Sequence, residues 1–133
     1  MAETKRKGSV AELIVLREAV ERGYRVAIPY GEDGPWDLVV ERGGRLERVQ
    51  CKYTVSDGQV IHVKCQSTNN WSIKAYRSDE IEWIVVFDAT TDRCYFVPSS
   101  MLGGGRSMIM LRITEPRNGQ KRRINWARDF TDW

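Results

Sequence analysis

Residues 36–53 read Trp36-Asp37-Leu38-Val39-Val40-Glu41-Arg42-Gly43-Gly44-Arg45-Leu46-Glu47-Arg48-Val49-Gln50-Cys51-Lys52-Tyr53, two runs of strand-forming residues joined by a Gly-Gly pair. Such a pair marks a two-residue hairpin turn, because the turns that match strand twist need positive φ at their central positions. With Gly43 and Gly44 as the loop, Arg42 pairs with Arg45. Counting back along both strands sets Leu38 opposite Val49 and Asp37 opposite Gln50. Directly opposed residues share a face, with Cβ atoms about 4.5–5.5 Å apart. Lys52, two positions beyond Gln50, lies on that face as well. The spacing therefore predicts a carboxylate, an amide and an amine converging at the open end of one hairpin. A one-residue slip of the turn would scatter them.

Working outward, residues 9–22 predict an amphipathic helix with Ser9 as N-cap and Gly23 closing it. Ser9-Val10-Ala11-Glu12 has the form of a capping box, in which the N3 glutamate bonds back to the N-cap amide. Tyr24–Ile28 follows as a short strand, and 29–35 as a turn-rich loop. Val60–Cys65, Ile81–Phe87, Arg93–Val97 and Met108–Ile113 are further strands, Ile81–Phe87 being apolar enough to be buried on both faces. Ser67-Thr68-Asn69-Asn70 reads as a polar loop, and short helical turns are expected at 98–102 and near Trp126. One helix followed mostly by strands is an α/β (α+β) pattern around a single sheet.

At 133 residues the chain is expected to form one domain, 1–133. No apolar run approaches the roughly 18–20 residues of a membrane span. No apolar stretch follows Lys5-Arg6-Lys7-Gly8 as in a signal peptide, so a cytoplasmic location is expected. Cys51, Cys65 and Cys94 are odd in number and lack CxxC spacing, which suits buried free thiols. With His62 as the single histidine, a zinc site is not expected. The net charge of +3 is concentrated in a basic arm at 1–8 (Lys5, Arg6, Lys7) and a basic segment at 115–133. Both ends suit a polyanion, and both equally suit solvated tails.

The hairpin face matches a definite chemical need. Hydrolysis of a phosphodiester requires neutralising charge at phosphorus and activating a water. Mg²⁺ does both, using a few carboxylate or carbonyl oxygens and several waters. Asp37 is the natural anchoring ligand, with the Gln50 side-chain carbonyl and the Cys51 backbone carbonyl beside it. Lys52 is placed to orient the water or to stabilise transition-state charge. Plainer roles exist: a capping Glu12, a strand-start Asp37, a Lys52 that guards a sheet edge. Arg48 shares the hairpin face and suits a phosphate or solvent. Lys64, Trp71, Lys74 and Tyr76 are candidate DNA contacts, with Trp71 able to stack on a base.

Glu12 on the first helix, Pro35-Trp36-Asp37 and Gln50-Cys51-Lys52 together resemble the PD-(D/E)xK nuclease superfamily over residues 8–54. The resemblance implies a restriction-endonuclease-like fold, a central mixed β-sheet flanked by helices. It implies a metal-dependent DNA endonuclease with Glu12, Asp37, Gln50 and Lys52 as catalytic residues. Glu12, Asp37, Gln50 and Cys51 would hold Mg²⁺, with Mn²⁺ a possible substitute. Two branches look similar. Lys5-Arg6-Lys7-Gly8 before Glu12 resembles archaeal-type Holliday junction resolvases. Residues 29–33, Val49-Gln50-Cys51-Lys52 and the stretch from Tyr76 to Ile81 resemble group I intron homing endonucleases of this fold. Gln50 departs from the usual Asp or Glu, removing one negative charge from the metal site and leaving room for an inactive DNA-binding module. Because shape and phosphate contacts need little protein surface, the expectation is a junction-resolving homodimer. A sequence-specific homing or restriction-type enzyme, a tetramer if so short a chain is to read a long site, is the alternative.

Overall fold

A computed structural model describes residues 2–31, 34–68, 72–120 and 122–133. The first helix, α1 (Glu3–Glu21), begins well before Ser9, with Ala2 as N-cap and no side-chain cap. The expected basic arm is therefore helical. Arg6 N–H donates to the Ala2 carbonyl at 3.0 Å, and the Arg6 guanidinium pairs with Glu3 at 2.6 Å across one turn. That pairing offsets the unfavourable basic charge near the positive helix end. Gly8, costing about 1 kcal/mol against alanine, does not break the helix. Ser9 and Glu12 consequently lie in the helix interior, and the expected capping box does not form. The other end is as expected: Gly23 takes φ +79°, its N–H reaching the Val20 carbonyl while that of Tyr24 reaches Ala19. This is a Schellman closure.

Among the described residues nine strands follow: β1 (Arg25–Ala27), β2 (Leu38–Arg42), β3 (Arg45–Thr54), β4 (Val60–Lys64), β5 (Gln66–Thr68), β6 (Ile73–Ala75), β7 (Trp83–Asp88), β8 (Arg93–Pro98) and β9 (Met108–Arg112). Single 3₁₀ turns stand at Ser99–Met101 and Ala127–Phe130. The main sheet has the order β1-β2-β3-β7-β8 and is mixed, with β3 and β7 parallel and the other neighbours antiparallel. The hairpin register is the expected one, Arg42 pairing with Arg45 and Leu38 with Val49, and both turn glycines have positive φ.

The two faces of this sheet bury different residues. On one face α1 lays Val15 and Ala19 against Leu38, Val40, Val49, Cys51, Val85 and Phe87, and Ala11 is buried on the helix as well. The small helix residues permit close approach. On the other face the antiparallel β4–β9 pair turns Ile61, Val63, Ile109 and Leu111 onto Ile84, Val86, Tyr95 and Val97. Among the described residues the sheet is thus flanked by one α-helix and, opposite it, by a β-ribbon rather than by a second helix. The period-2 alternation of β4 and β9 suits a ribbon with one buried face. Gln50 and Lys52 pair with Ile84 and Val86, so they lie on the ribbon side of β3, whereas Cys51 faces α1.

The stretch expected as a loop at 67–70 in fact begins within a strand, β5, which pairs antiparallel with β6; Asn69 and Asn70 lie outside the described residues. All three cysteines are free and buried. Among the described residues no helix is long and apolar enough to cross a membrane.

Candidate active site

β2 stops at Leu38 while β3 runs on to Thr54, so the β3 backbone beyond Val49 loses its partner on that side. Asp37 fills the gap. Its N–H donates to the Val49 carbonyl at 2.8 Å, and its Oδ2 accepts the Cys51 N–H at 2.8 Å. The expected ladder pairing with Gln50 gives way to this side-chain-to-backbone bond, because regular pairing ends one residue short of Asp37.

Glu12, an exposed residue midway along α1, brings its carboxyl into hydrogen bonding with Asp37. Both carboxyls are pushed above their ordinary range. For Asp37 the cause is burial, opposed by the Cys51 N–H, the Lys52 charge and the bond with Glu12. For Glu12 it is partial burial of the carboxyl, then the Asp37 charge and shared hydrogen bond. Two carboxyls held together in this way favour a shared proton or a cation between them.

Gln50 is 9% exposed, and its Nε2 donates to the Cys51 carbonyl at 3.3 Å. Lys52 is half-buried, its Nζ donating to the Gln66 carbonyl and to the Tyr76 hydroxyl, each at 3.2 Å, and lying 4.9 Å from the Tyr76 ring centre. Burial holds the Lys52 amine below its ordinary range. The Asp37 charge works against that fall, and the Lys64 charge adds to it.

Beside Glu12 and Asp37 opens a cleft of about 580 Å³ whose walls include Ile28, Pro29, Tyr30 and Trp36. A second, of about 360 Å³, starts at Lys52 and is lined by Lys7, Thr54, His62 and Lys64 among others, with no carboxylate among the described residues of its wall. Lys7 lies 5.8 Å from the Tyr53 ring centre. The site therefore has an acidic end and a basic end.

The remaining candidates from sequence separate here. Arg48 is not open to a phosphate: its guanidinium holds both Glu82 carboxylate oxygens, at 3.0 and 2.5 Å, and donates to the Asp79 carbonyl at 3.2 Å. Lys74 pairs with Glu80 at 3.1 Å. Tyr76, 4% exposed, turns to Lys52 and not to solvent, and burial pushes its hydroxyl up to about 12. Arg6 is engaged with Glu3, while Lys5 and Lys64 are exposed. Trp71 lies outside the described residues. Sequence reasoning missed the Cys51 amide and the Gln66 carbonyl. Neither carries a side-chain signal, and only the strand ends reveal them.

As a cation site the donor set is hard: two carboxylates, an amide and a backbone carbonyl. Among the described residues no cluster of three or more His, Cys, Asp or Glu exists. Oxygen donors of this kind suit a hard divalent cation.

A family model described as PD-(D/E)XK endonuclease matches residues 2–133. Among solved structures, a bacterial homing endonuclease, I-Ssp6803I, is similar with a TM-score of 0.69 and 26% identity, covering 91% of this chain and 86% of its own. Comparison with curated protein sequences gives no match.

Proposed function

Because this chain belongs to the PD-(D/E)XK endonuclease family, we propose that its metal-dependent nuclease activity is directed at a defined sequence in linear duplex DNA, with Mg²⁺ as the ion. The observation that carries this choice of substrate is the likeness to a bacterial homing endonuclease over 91% of the chain. It shifts the preference from the junction-resolving expectation to its alternative. The junction reading becomes one outcome of the test.

Asp37 and Glu12 would hold the ion, with the Cys51 carbonyl and the Gln50 amide oxygen on the β3 side. A bound divalent cation supplies Lewis acidity and lowers the pKa of a coordinated water. The protein groups do the rest. The Cys51 N–H fixes the Asp37 carboxylate in one orientation. The Lys52 ammonium, held at the edge of the same site, leaves the Gln66 carbonyl and Tyr76 hydroxyl for the phosphate as charge develops there. Lys7 and Lys64, along the basic cleft, take the neighbouring phosphates. Gln50, being neutral, makes ion affinity depend more heavily on the two carboxylates. Cutting both strands needs two such sites, and a two-fold homodimer supplies them.

The test incubates the full chain with a pool of linear duplexes, and separately with a four-way junction, in Mg²⁺, Mn²⁺ or EDTA. Metal-dependent cutting of one duplex sequence supports the proposal. Cutting confined to the junction replaces it with the resolvase reading. No cutting with either metal leaves a DNA-binding module.

A further inference from the structure

We propose that the β5–β6 ribbon is the element that reads base sequence, through the exposed pair Thr68 and Ile73. This rests on the duplex-cleaving reading above. The ribbon is a two-stranded sheet of its own, with Gln66 paired to Ala75, Ser67 to Lys74 and Thr68 to Ile73. An isolated ribbon of this size is marginally stable, so something must fix its base. Cys65 and Tyr76, the residues flanking it, are buried; Cys65 N–H donates to the Ser107 carbonyl at 3.0 Å, and Tyr76 N–H to the Cys65 carbonyl at 2.8 Å. Ala75 sits against Gly105, where an added Cβ would lie 3.3 Å from the Ala75 methyl.

The two faces of the ribbon differ. Ser67 and Lys74 share one face, and Ser67 is hydrogen-bonded to the Tyr76 hydroxyl while Lys74 is paired with Glu80. Thr68 and Ile73 share the other, beyond Gln66 and Ala75, and both are exposed, as Ser67 and Lys74 are. Ile73 is 65% exposed. A β-branched apolar side chain and a hydroxyl at the last described pair of an anchored ribbon form a poor surface for water. They suit a base edge well: a hydrocarbon for a thymine methyl, and a hydroxyl that donates or accepts. The major groove, about 12 Å wide, admits a two-stranded ribbon.

Position identifies the occupant. The Gln66 carbonyl at the ribbon base receives the Lys52 ammonium at 3.2 Å. Thr68 lies two residues further out, about 7 Å along the strand. A duplex whose phosphate lies at Lys52 must pass the ribbon within a groove's width. The lysines of the flanking basic cleft favour a polyanion there over a second protein surface.

The experiment selects bound molecules from a randomised linear duplex pool in Ca²⁺ without cleavage, using the full chain and its Thr68→Ala, Ile73→Ala and double variants. Melting temperatures verify folding. The expected result is a sequence preference for the unmodified chain and its loss at one short block of adjacent base pairs in the variants. Each position should lose about 5- to 150-fold in discrimination, the equivalent of 1–3 kcal/mol. The slope of binding against salt should stay unchanged, since no phosphate contact is removed. An unaltered preference in the double variant overturns the inference, as does an unmodified chain that selects no sequence. Because the readout is binding, it is independent of whether the chain cuts DNA. Absence of cleavage would count against the proposed function alone.

Discussion

The Cys51 amide donates to the Asp37 carboxylate at 2.8 Å, so the residue we propose as the cation's anchor also completes the hydrogen bonding of β3 where β2 has ended. One side chain answers two demands. Asp37→Asn separates them, because asparagine keeps an acceptor for Cys51 but loses the charge. Cleavage should fall at least about 100-fold, the scale of a lost transition-state electrostatic contact. Thermal stability should change little. DNA affinity in EDTA should be preserved, as measured by fluorescence anisotropy.

Glu12→Gln tests the second carboxylate. Glu12 is exposed in the middle of α1, so stability should remain within about 0.5 kcal/mol of the unmodified chain. Activity should fall strongly and require more Mg²⁺ for half-maximal rate. A metal titration of cleavage that is unmoved by the substitution would remove Glu12 from the site.

Ser9 gives a prediction whose sign is informative. An N-cap serine changed to alanine costs about 0.5–2 kcal/mol, whereas the same change inside a helix gains a few tenths. With α1 beginning at Glu3, Ser9→Ala should slightly stabilise the chain in urea denaturation. A loss of 1 kcal/mol would return the helix start to Ser9.

Arg48→Ala should behave as a loss of a structural tie. Its contacts are Glu82 and the Asp79 carbonyl, and the pair is partly solvent-exposed, so the cost should be at most about 1 kcal/mol. The salt slope of DNA binding should be unchanged. Lys64→Ala should instead reduce that slope by about 1.

Asp88 governs acid behaviour away from the site. It is fully buried, and burial raises its carboxyl. The Ser56 N–H and the Thr91 and Ser56 hydroxyls outweigh that effect and hold the group below its ordinary range. Its contribution to stability is therefore complete above about pH 4, the value for an unfolded aspartate, and is lost as pH falls through the lower folded value. Asp88→Asn should cost roughly 1–3 kcal/mol at neutral pH. It should also flatten the decline of melting temperature below pH 4.

The hairpin was legible because its turn chemistry and strand lengths leave one consistent register. Leu38 opposite Val49 follows from Gly43-Gly44 alone. The helix start was not, since Ser9 has the chemistry of a cap and Lys5-Arg6-Lys7-Gly8 that of a tail. What extends α1 is the pairing of Arg6 with Glu3 and with the Ala2 carbonyl, a local effect too weak to stand out in the pattern. β5 and β6 were hidden because a three-residue strand of Gln66, Ser67 and Thr68 has no apolar alternation. Its pairing is fixed by the buried Cys65 and Tyr76 on either side. In the site, side chains on adjacent elements could be anticipated. That Lys52 rests on a carbonyl and a phenol from a later segment could not, because neither the backbone oxygen nor the long separation leaves a sequence trace.

The bond between Asp37 and Cys51 bears on how descendants of such a chain would drift. A lineage that abandoned cleavage would still be penalised for losing an acceptor at position 37, since the sheet itself uses it. Glu12 has no such tether, its described bond being to Asp37 itself, and selection would release it first. Inactive relatives would then be recognised by decay at the helix position while the strand-mouth aspartate, or an asparagine in its place, persisted.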